Sequence, residues 1–289
     1  MKSMKIAVFG YGNIGRAAEQ AVKKAKDMEL VGVFHHDEMV TLLAEKPDVV
    51  LLCTPTREVP VCAPLFLKAG ICTVDSFDIH NDICKLRAQL SPVAEQYKAV
   101  SVISAGWDPG SDSVIRVMMH ALVPEGQLFT NFGPGRSMGH SVAAKAIPGV
   151  KDALSMTLPA GEGRHNRHVY IELEEGYEFE KVKEAILHDD YFAHDYTEVE
   201  RVDSVAKLDT HQHGVHIERN GMSGITPNQQ VDFTMRINNP ALTGQMMVSC
   251  ARAAVRMHDR QQFGSFTTVE LAPIDLLPGE REDLIAHLV

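Results

Sequence analysis

Two aspartates follow consecutive apolar runs in the first third of the chain. Asp78 comes directly after CTVDSF (72–77), and Asp108 follows AVSVIS (99–104) within GWDPG, which holds the only tryptophan, Trp107. If both runs are parallel strands, their carboxyl ends meet at one edge of a sheet and the two side chains share a pocket. Two carboxylates in one pocket suit a cationic amine and can accept its proton. The alternative role for each aspartate alone is to cap a helix or close a turn.

The segment GYGNIG contains Gly10, Gly12 and Gly15 at the spacing GxGxxG. It follows the apolar run at 5–10 and opens an amphipathic helical pattern at 13–27, which is the context of a dinucleotide-binding turn. In such a turn the first glycine allows a tight bend, the second lets a pyrophosphate approach the backbone, and the third lets the helix pack on the strand. A purely structural glycine turn is the alternative.

The end of the second apolar run bears on which dinucleotide binds. An acid at this point usually binds the ribose hydroxyls of NAD, whereas an Arg nearby accommodates the phosphate of NADP. The chain has VFHHDE, with His35 where the acid is expected, His36 next and Asp37 two places late. We predict NADP by a narrow margin, with NAD as the alternative, because histidine can donate to phosphate while Asp37 repels it. The predicted cofactor-binding residues are Gly10, Gly12, Asn13, Ile14, Gly15, His35, His36, Cys53, Thr54, Pro55 and Thr56.

The elements that must position these residues are short Val/Ile/Leu runs alternating with helical patterns over residues 4–105. This alternation is typical of βαβ units in a parallel sheet covered on both faces. We predict an α/β fold: an N-terminal Rossmann doubly wound parallel sheet, then an α+β substrate-binding and oligomerisation domain with an open sheet. The predicted strands of the first part are 5–10, 29–34, 48–53, 72–77 and 99–104.

The predicted domain organisation has three parts. Residues 1–117 form the dinucleotide-binding domain, 118–245 the substrate-binding and oligomerisation domain, and 246–289 a C-terminal helix and tail that pack back on the first domain. In the second part strands and helices mix without βαβ alternation, and an open sheet of this kind is a common oligomer interface, so we expect a homo-oligomer. Its predicted elements are an irregular glycine-rich stretch at 128–141, strands at 168–175 and 231–237, and helices at 178–189 and 244–257.

Composition excludes several classes of partner. The net charge of −10 argues against nucleic acid, because a phosphate backbone requires a basic surface. No apolar run reaches the roughly 18 residues that span a bilayer, and nothing resembles a signal peptide, so no membrane partner is expected. The five cysteines are odd in number and lack CxxC spacing, which predicts reduced thiols in a cytoplasmic protein. Cys53, beside the cofactor loop, is expected to pack rather than to act as a nucleophile.

A set of segments resembles meso-diaminopimelate dehydrogenase over nearly the whole chain. In order, these segments are VFGYGNIGR, CTVDSFD, AGWDPG, FGPGRSMGHS, IPGVKDALSMTLP, HGVHI, NNP and ARAAVRM. The resemblance implies reversible oxidative deamination, with NADP, at the D-centre of meso-2,6-diaminopimelate. The products are ammonia and L-2-amino-6-oxopimelate, which cyclises to tetrahydrodipicolinate. The resemblance therefore implies a place in lysine and cell-wall precursor biosynthesis.

The same resemblance implies roles for individual residues. Asp78 and Asp108 match the carboxylates that hold the reacting D-amino group, and Trp107 matches the wall beside them. Arg167 suits a two-pronged contact with the distal carboxylate. The residues that match the distal L-centre are Thr157, Arg167, His216 and Asn239, and Met138 and Gly139 match a backbone segment that lines the cavity. The chain departs from many members of this family after the second strand, where they carry arginines.

A histidine cluster offers another interpretation. HQHGVHI places His211, His213 and His216 at the spacing HxHxxH, which could hold a metal ion on one strand face. We favour His216 as a substrate ligand and the other two as surface groups, and we predict no metal, because deamination by hydride transfer needs none.

Two further functions fit part of the pattern. A related amino-acid or diamino-acid dehydrogenase on the same scaffold would keep the two aspartates and change the distal contacts. A non-catalytic dinucleotide-binding regulator would not need Asp78, Asp108 and Arg167 together.

Overall fold

The computed structural model describes residues 3–208 and 213–289. The chain divides into two compact units. The first unit is made of two separate stretches, Met1–Val117 and Pro240–Val289, and the second unit is Met118–Asn239.

The first stretch alternates strands and helices as its apolar runs predict, and each of the five predicted strands is present. Single turns of 3-10 helix at His36–Glu38, Thr56–Glu58 and His80–Asp82 follow three of the strand ends. The elements are β1 (Met4–Phe9), α1 (Asn13–Lys24), β2 (Met28–Phe34), α2 (Met39–Glu45), β3 (Val49–Leu52), α3 (Val59–Lys68), β4 (Cys72–Asp75), α4 (Ile83–Gln96), β5 (Val100–Ile103) and α5 (Ser111–Leu122).

The described residues of the second unit mix strands with helices, and the first part of the unit differs from the prediction. The stretch 128–141, predicted to be irregular, contains strand and helix, because the strands pair with partners distant in sequence that local composition does not reveal. The elements are β6 (Glu125–Phe132), β7 (Gly135–Ser137), α6 (Met138–Lys145), β8 (Val150–Gly161), β9 (Arg164–Leu173), α7 (Phe179–Leu187), β10 (Tyr196–Arg201), β11 (His213–Ser223) and β12 (Thr226–Ile237).

The last stretch returns to the first unit. It contains α8 (Asn239–Asp259), β13 (Gly264–Thr267) and α9 (Arg281–Leu288). The strand β13, which the sequence pattern did not predict, pairs in parallel with β5. It completes a six-stranded parallel sheet in the order β13-β5-β4-β3-β1-β2.

Both faces of this sheet are buried, which explains the continuous apolar runs of its strands. Ile6 and Val8 of β1 pack on one face with residues of α1 and α8. Ala7 and Phe9, which point the other way, pack on the second face with residues of α3 and α4. The α/β doubly wound architecture predicted for the N-terminal part is confirmed.

The strands described in the second unit form two sheets. One has the order β10-β9-β8-β7 and is antiparallel except for the parallel pair β10 and β9, and the other is an antiparallel sheet in the order β12-β11-β6. Apolar residues of β8, β9 and α7, among them Val169, Ile171, Val182 and Ile186, form a separate core. This arrangement confirms the predicted α+β class of the second half. No helix in the described part of the chain has the length and apolar composition that crossing a membrane requires.

Candidate active site

The glycine turn joins β1 to α1. Gly10 has φ +97°, and a Cβ there would lie 2.6 Å from the carbonyl oxygen of Cys53, so only glycine fits. A side chain on Gly15 would collide with the carbonyl of Gly10. By contrast, a Cβ on Gly12 would meet no atom within 4 Å. Two glycines therefore close the turn, and the third leaves open space beside the backbone.

The start of α1 has the properties of an anion site. Gly12 is the N-cap, no side chain among the described residues caps the helix, and its first turn contains no acid. The unpaired backbone N–H groups of such a turn favour a negatively charged ligand. In the loop after β3, the Thr54 hydroxyl oxygen is buried without a hydrogen-bond partner in the described chain. These features fit a dinucleotide, whose pyrophosphate would lie at Gly12 and whose ribose hydroxyls would reach Thr54.

The residues after β2 are rich in carboxylates. The Nε2 atom of His36 lies 2.9 Å from a carboxylate oxygen of Glu58, and the His36 ring packs edge-on against Phe9. The backbone N–H of His35 donates to Glu38 at 2.8 Å. Since Asp37 is exposed beside them, several negative charges surround the two histidines.

Cys53 is placed beside the glycine turn, where its surroundings make it chemically inert. Burial raises the pKa of its thiol to about 12, so the thiol stays protonated near neutral pH. All five cysteines are free thiols.

The carboxyl group of Asp75, at the end of β4, joins two strand-end loops. Its Oδ1 accepts the backbone N–H of Phe77 at 2.9 Å and that of Ser104 at 3.1 Å, and its carbonyl oxygen accepts the N–H of Ala105 at 2.7 Å. The residue is fully buried, and its Oδ2 accepts no hydrogen bond from the described chain. Burial raises the pKa of Asp75 to about 7, although the two N–H donors act in the opposite direction.

These two loops carry the aspartates singled out in the sequence. Asp78 follows β4 and Asp108 follows β5, and the two strands are neighbours in the parallel sheet. The side chain of Asp78 is exposed, and its backbone N–H donates to the hydroxyl of Thr56 at 3.1 Å. Trp107 is buried and the side chain of Asp108 is 14 % exposed. The sheet order thus brings both aspartates and the tryptophan to one edge.

A second carboxyl group lies beside Asp108. Asp112, in the first turn of α5, is fully buried, and its backbone N–H donates to the carbonyl of Trp107 at 3.0 Å. The Arg116 guanidinium lies 2.7 Å from Asp112 Oδ2 and 3.7 Å from Asp108 Oδ1. Burial and then the charge of Asp108 raise the pKa of Asp112 to about 7, against the opposing charge of Arg116.

In the second unit, Thr157 and Arg167 lie directly opposite each other on β8 and β9. The guanidinium of Arg167 donates to the Thr157 hydroxyl, and its Nε donates to Asp195 Oδ2 at 2.7 Å. The Arg167 side chain is only 11 % exposed. The strand register therefore holds a nearly buried cation in a fixed orientation.

Met138 and Gly139 begin α6, which directly follows β7, a strand of the sheet that also contains Thr157 and Arg167. The Ser137 hydroxyl lies 2.8 Å from His140 Nδ1, and the His140 ring packs edge-on against Tyr191. Burial, followed by the positive charge of Arg167, lowers the pKa of His140, so its neutral form is favoured.

His216 lies on β11, in the other sheet of the unit, and Asn239 begins α8. The His216 ring contacts two carboxylates, with Nε2 at 3.0 Å from Asp232 and Nδ1 at 3.8 Å from Glu218. His211 lies outside the described residues. His213, expected at the surface, is half-buried because it begins β11 and pairs with the end of β12.

Comparison with known proteins gives the family. The model of the diaminopimelic acid dehydrogenase C-terminal domain matches residues 106–239. A meso-diaminopimelate D-dehydrogenase of Bacteroides fragilis is 52 % identical over the full length of both chains. This chain belongs to the meso-diaminopimelate D-dehydrogenase family.

Solved structures of similar proteins agree with this membership. Diaminopimelate dehydrogenase of Corynebacterium glutamicum, in complex with diaminopimelate, has a TM-score of 0.88 and 33 % identity, with both chains covered completely. An engineered D-amino acid dehydrogenase bound to NADP+ has a TM-score of 0.82 and 32 % identity, again with complete coverage of both chains. As a family member, the chain is an oxidoreductase that acts on a CH–NH2 group with a nicotinamide cofactor.

The sequence analysis of this meso-diaminopimelate D-dehydrogenase family member did not identify three charged residues of the site: Asp112, Arg116 and Asp195. Asp112 and Arg116 stand four residues apart in a segment that opens a helix, so their pairing was available from the i,i+4 spacing. Asp195, the partner of Arg167, gave no such signal, because it lies in a loop 28 residues further along the chain.

Proposed function

We propose that the protein catalyses the NADP-dependent, reversible oxidative deamination of the D-centre of meso-2,6-diaminopimelate. The products are L-2-amino-6-oxopimelate, which cyclises to tetrahydrodipicolinate, and ammonia. The observation that carries the proposal is the convergence of Asp78, Trp107 and Asp108 at the edge of the nucleotide-binding sheet, on loops joined by Asp75. The diaminopimelate-bound relative supports the choice of substrate.

The two aspartates hold the reacting amino group in this proposal. As carboxylates they attract the substrate ammonium, and Asp108, partly buried beside Trp107, accepts one of its protons. A nicotinamide cofactor held at the glycine turn would supply the acceptor for the hydride that leaves the D-centre. Loss of the ammonium proton leaves the lone pair on nitrogen that must form the C=N bond as hydride departs. Water then adds to the carbon of the former D-centre, and ammonia leaves.

The distal L-centre is assigned to residues of the second unit. Arg167, oriented by Thr157 and Asp195, has guanidinium N–H groups left for a carboxylate. His216 and Asn239 complete the polar contacts, and the Met138–Gly139 backbone lines the cavity. Recognition of both ends selects a long diamino diacid over a simple amino acid.

The cofactor is proposed to be NADP, with NAD as the alternative. The turn Gly10–Gly15 and the loop Cys53–Thr56 hold it, and the NADP+-bound relative supports the choice. His35 and His36 are assigned to the adenosine 2′-phosphate, and the acidic neighbours Asp37 and Glu58 make the margin over NAD narrow.

The proposal also assigns roles to the domains, an oligomeric state and a place in metabolism. Residues 1–117 bind the dinucleotide, 118–245 bind substrate and mediate self-association, and 246–289 return to the first domain. The edge strand β12 has half-buried apolar residues at alternate positions, among them Val231, Phe233 and Met235, which supports a homo-oligomer such as a dimer. Free thiols support a cytoplasmic enzyme of lysine and diaminopimelate biosynthesis.

The test offers meso-, LL- and DD-diaminopimelate separately, each with NADP and with NAD. The meso isomer should be oxidised, with one ammonia released per reduced cofactor, and the LL isomer, which has no D-centre, should be inert. The DD isomer should be poor, because its distal centre has the wrong configuration. Equal oxidation of the LL isomer would refute the stereochemistry. Cofactor binding without turnover of any isomer would favour the regulator instead.

A further inference from the structure

Asp108, Asp112 and Arg116 form a cluster of charges between the end of β5 and the first turns of α5. Two carboxyl groups face one guanidinium there, at 3.7 Å and 2.7 Å. The Asp112 side chain is completely buried and that of Asp108 is 14 % exposed. One half-buried cation does not neutralise two carboxylates, one fully and one partly buried, so the group carries excess negative charge unless it also holds a proton.

The oxygen atoms show where such a proton fits. Asp108 Oδ1 and Asp112 Oδ2 are both buried, and their nearest cation, the Arg116 guanidinium, lies 3.7 Å and 2.7 Å away without the alignment of a hydrogen bond. The two oxygens lie near the same guanidinium, and two carboxylate oxygens cannot hydrogen-bond to each other without a hydrogen between them. A single proton between Asp108 and Asp112 satisfies both oxygens and removes one of the two like charges.

The charges that act on Asp112 come from two places in the described chain. Asp108, in the loop after β5, raises the pKa of Asp112, and Arg116, on the same helix as Asp112, lowers it. Burial is the largest cause and also raises it. The hydroxyl of Ser113, 3.3 Å from Asp112 Oδ1, acts weakly in the lowering direction. Asp112 therefore keeps its proton to a higher pH than an exposed aspartate does.

We propose that Asp112 is a positioning residue for the deamination, which shares with Asp108 the proton taken from the substrate ammonium and so makes Asp108 an effective proton acceptor at neutral pH. This rests on the proposed function. In the step, an ammonium N–H bond breaks, its electron pair stays on nitrogen, and an O–H bond forms within the carboxyl pair. In the aminating direction the pair returns the same proton. Alone, Asp108 would be a weaker base, and less proton transfer would occur in the transition state.

A purely structural role for Asp112 makes a different prediction. Its backbone N–H and its ion pair with Arg116 stabilise the first turn of α5. If this were its whole contribution, removing the charge would lower stability and activity at all pH values alike. A change in the pH dependence of turnover separates the two roles.

The experiment compares wild type, Asp112→Asn and the control Asp283→Asn, an exposed aspartate on α9. For each protein, kcat and kcat/KM for meso-diaminopimelate oxidation are measured from about pH 5 to 9. In wild type, kcat/KM should rise with pH through the neutral range as the pair becomes ionised. In Asp112→Asn this rise should move to lower pH by about one unit or more, and the plateau kcat should fall about tenfold. The control should match wild type.

An unmoved pH profile in a folded Asp112→Asn protein would overturn the proposal, whatever the loss of activity. A second measurement needs no Asp112 variant: the infrared carboxylic-acid band of the Asp75→Asn protein, in which the other buried carboxyl group with a strongly raised pKa is removed. The band should disappear with a midpoint near neutral pH, and its absence already in mildly acidic solution would also overturn the proposal. A wild type that does not oxidise meso-diaminopimelate would instead refute the proposed function, while the infrared result still decides whether a buried carboxyl group beside Asp108 keeps its proton up to neutral pH.

Discussion

Replacement of Asp75 by Asn should change how stability depends on pH. Asp75 is fully buried, and two backbone N–H groups donate to its Oδ1 while its Oδ2 has no donor in the described chain. An asparagine has the same shape, keeps an oxygen for the two N–H groups and cannot ionise. The variant therefore removes the buried titration and leaves the loop contacts in place.

The magnitude follows from the raised pKa. Below about pH 4 the carboxyl group is protonated in both the folded and the unfolded chain, and its contribution to the free energy of unfolding is fully present. As the pH rises from 3.8 towards about 7, the unfolded chain releases this proton and the folded chain keeps it, so the free energy of unfolding falls. Each unit by which the folded pKa exceeds the unfolded pKa corresponds to about 1.4 kcal/mol. The free energy of unfolding therefore falls by about 4 kcal/mol in all, and about 2–3 kcal/mol of this loss occurs between about pH 5 and 8.

Urea unfolding of wild type and Asp75→Asn at several pH values in this range measures the effect. The free energy of unfolding of the variant, minus that of wild type, should increase by about 2–3 kcal/mol from about pH 5 to 8. Asp190→Asn, at an exposed position, is the matched control and should leave the wild-type pH dependence unchanged. If Asp75→Asn runs parallel to wild type across the range, Asp75 is ionised in the folded protein and the reasoning from burial is wrong.

Three further outcomes follow from the site. Asp78→Asn and Asp108→Asn should each lower the rate of diaminopimelate oxidation on the order of 100-fold while cofactor binding, followed by fluorescence titration, is kept; near-normal turnover in both would exclude the assigned roles. Arg167→Met should weaken diaminopimelate binding by about 2–4 kcal/mol, measured as a raised KM, and should leave the slow oxidation of simple D-amino acids almost unchanged. Asp37→Arg should increase the preference for NADP over NAD about three- to tenfold, measured as the ratio of kcat/KM values, because it replaces a repelling charge near the phosphate. An unchanged ratio would show that Asp37 does not face the cofactor.

The parts of the fold that local patterns determine could be predicted. The strands β1 to β5 are short runs of apolar residues buried on both faces, and the glycine turn must have glycine at Gly10 and Gly15 for steric reasons. The strand β13 could not be predicted, because its four residues GSFT carry little pattern and its pairing with β5 joins segments far apart in sequence.

In the candidate site, too, the residues placed by local pattern could be predicted, and those placed by tertiary contact could not. Aspartates at strand ends can be located once the strands are known, since parallel strands share one carboxyl edge. Charge partners set by tertiary contact, such as Asp195 for Arg167, have no fixed spacing and appear only in the structure. Asp112 lies between these cases, because its spacing from Arg116 was visible but its burial beside Asp108 was not.

The two-stretch composition of the first unit has a consequence for folding during synthesis. The strand β5 lacks one neighbour until residues 264–267 have left the ribosome, whereas the second unit is complete once residue 239 has emerged. The unit encoded in the middle of the chain can therefore finish folding before the unit that begins it. A fragment ending near residue 117 would expose the open edge of β5 and lack the α8 side of its core, so it should aggregate rather than serve as an isolated nucleotide-binding domain.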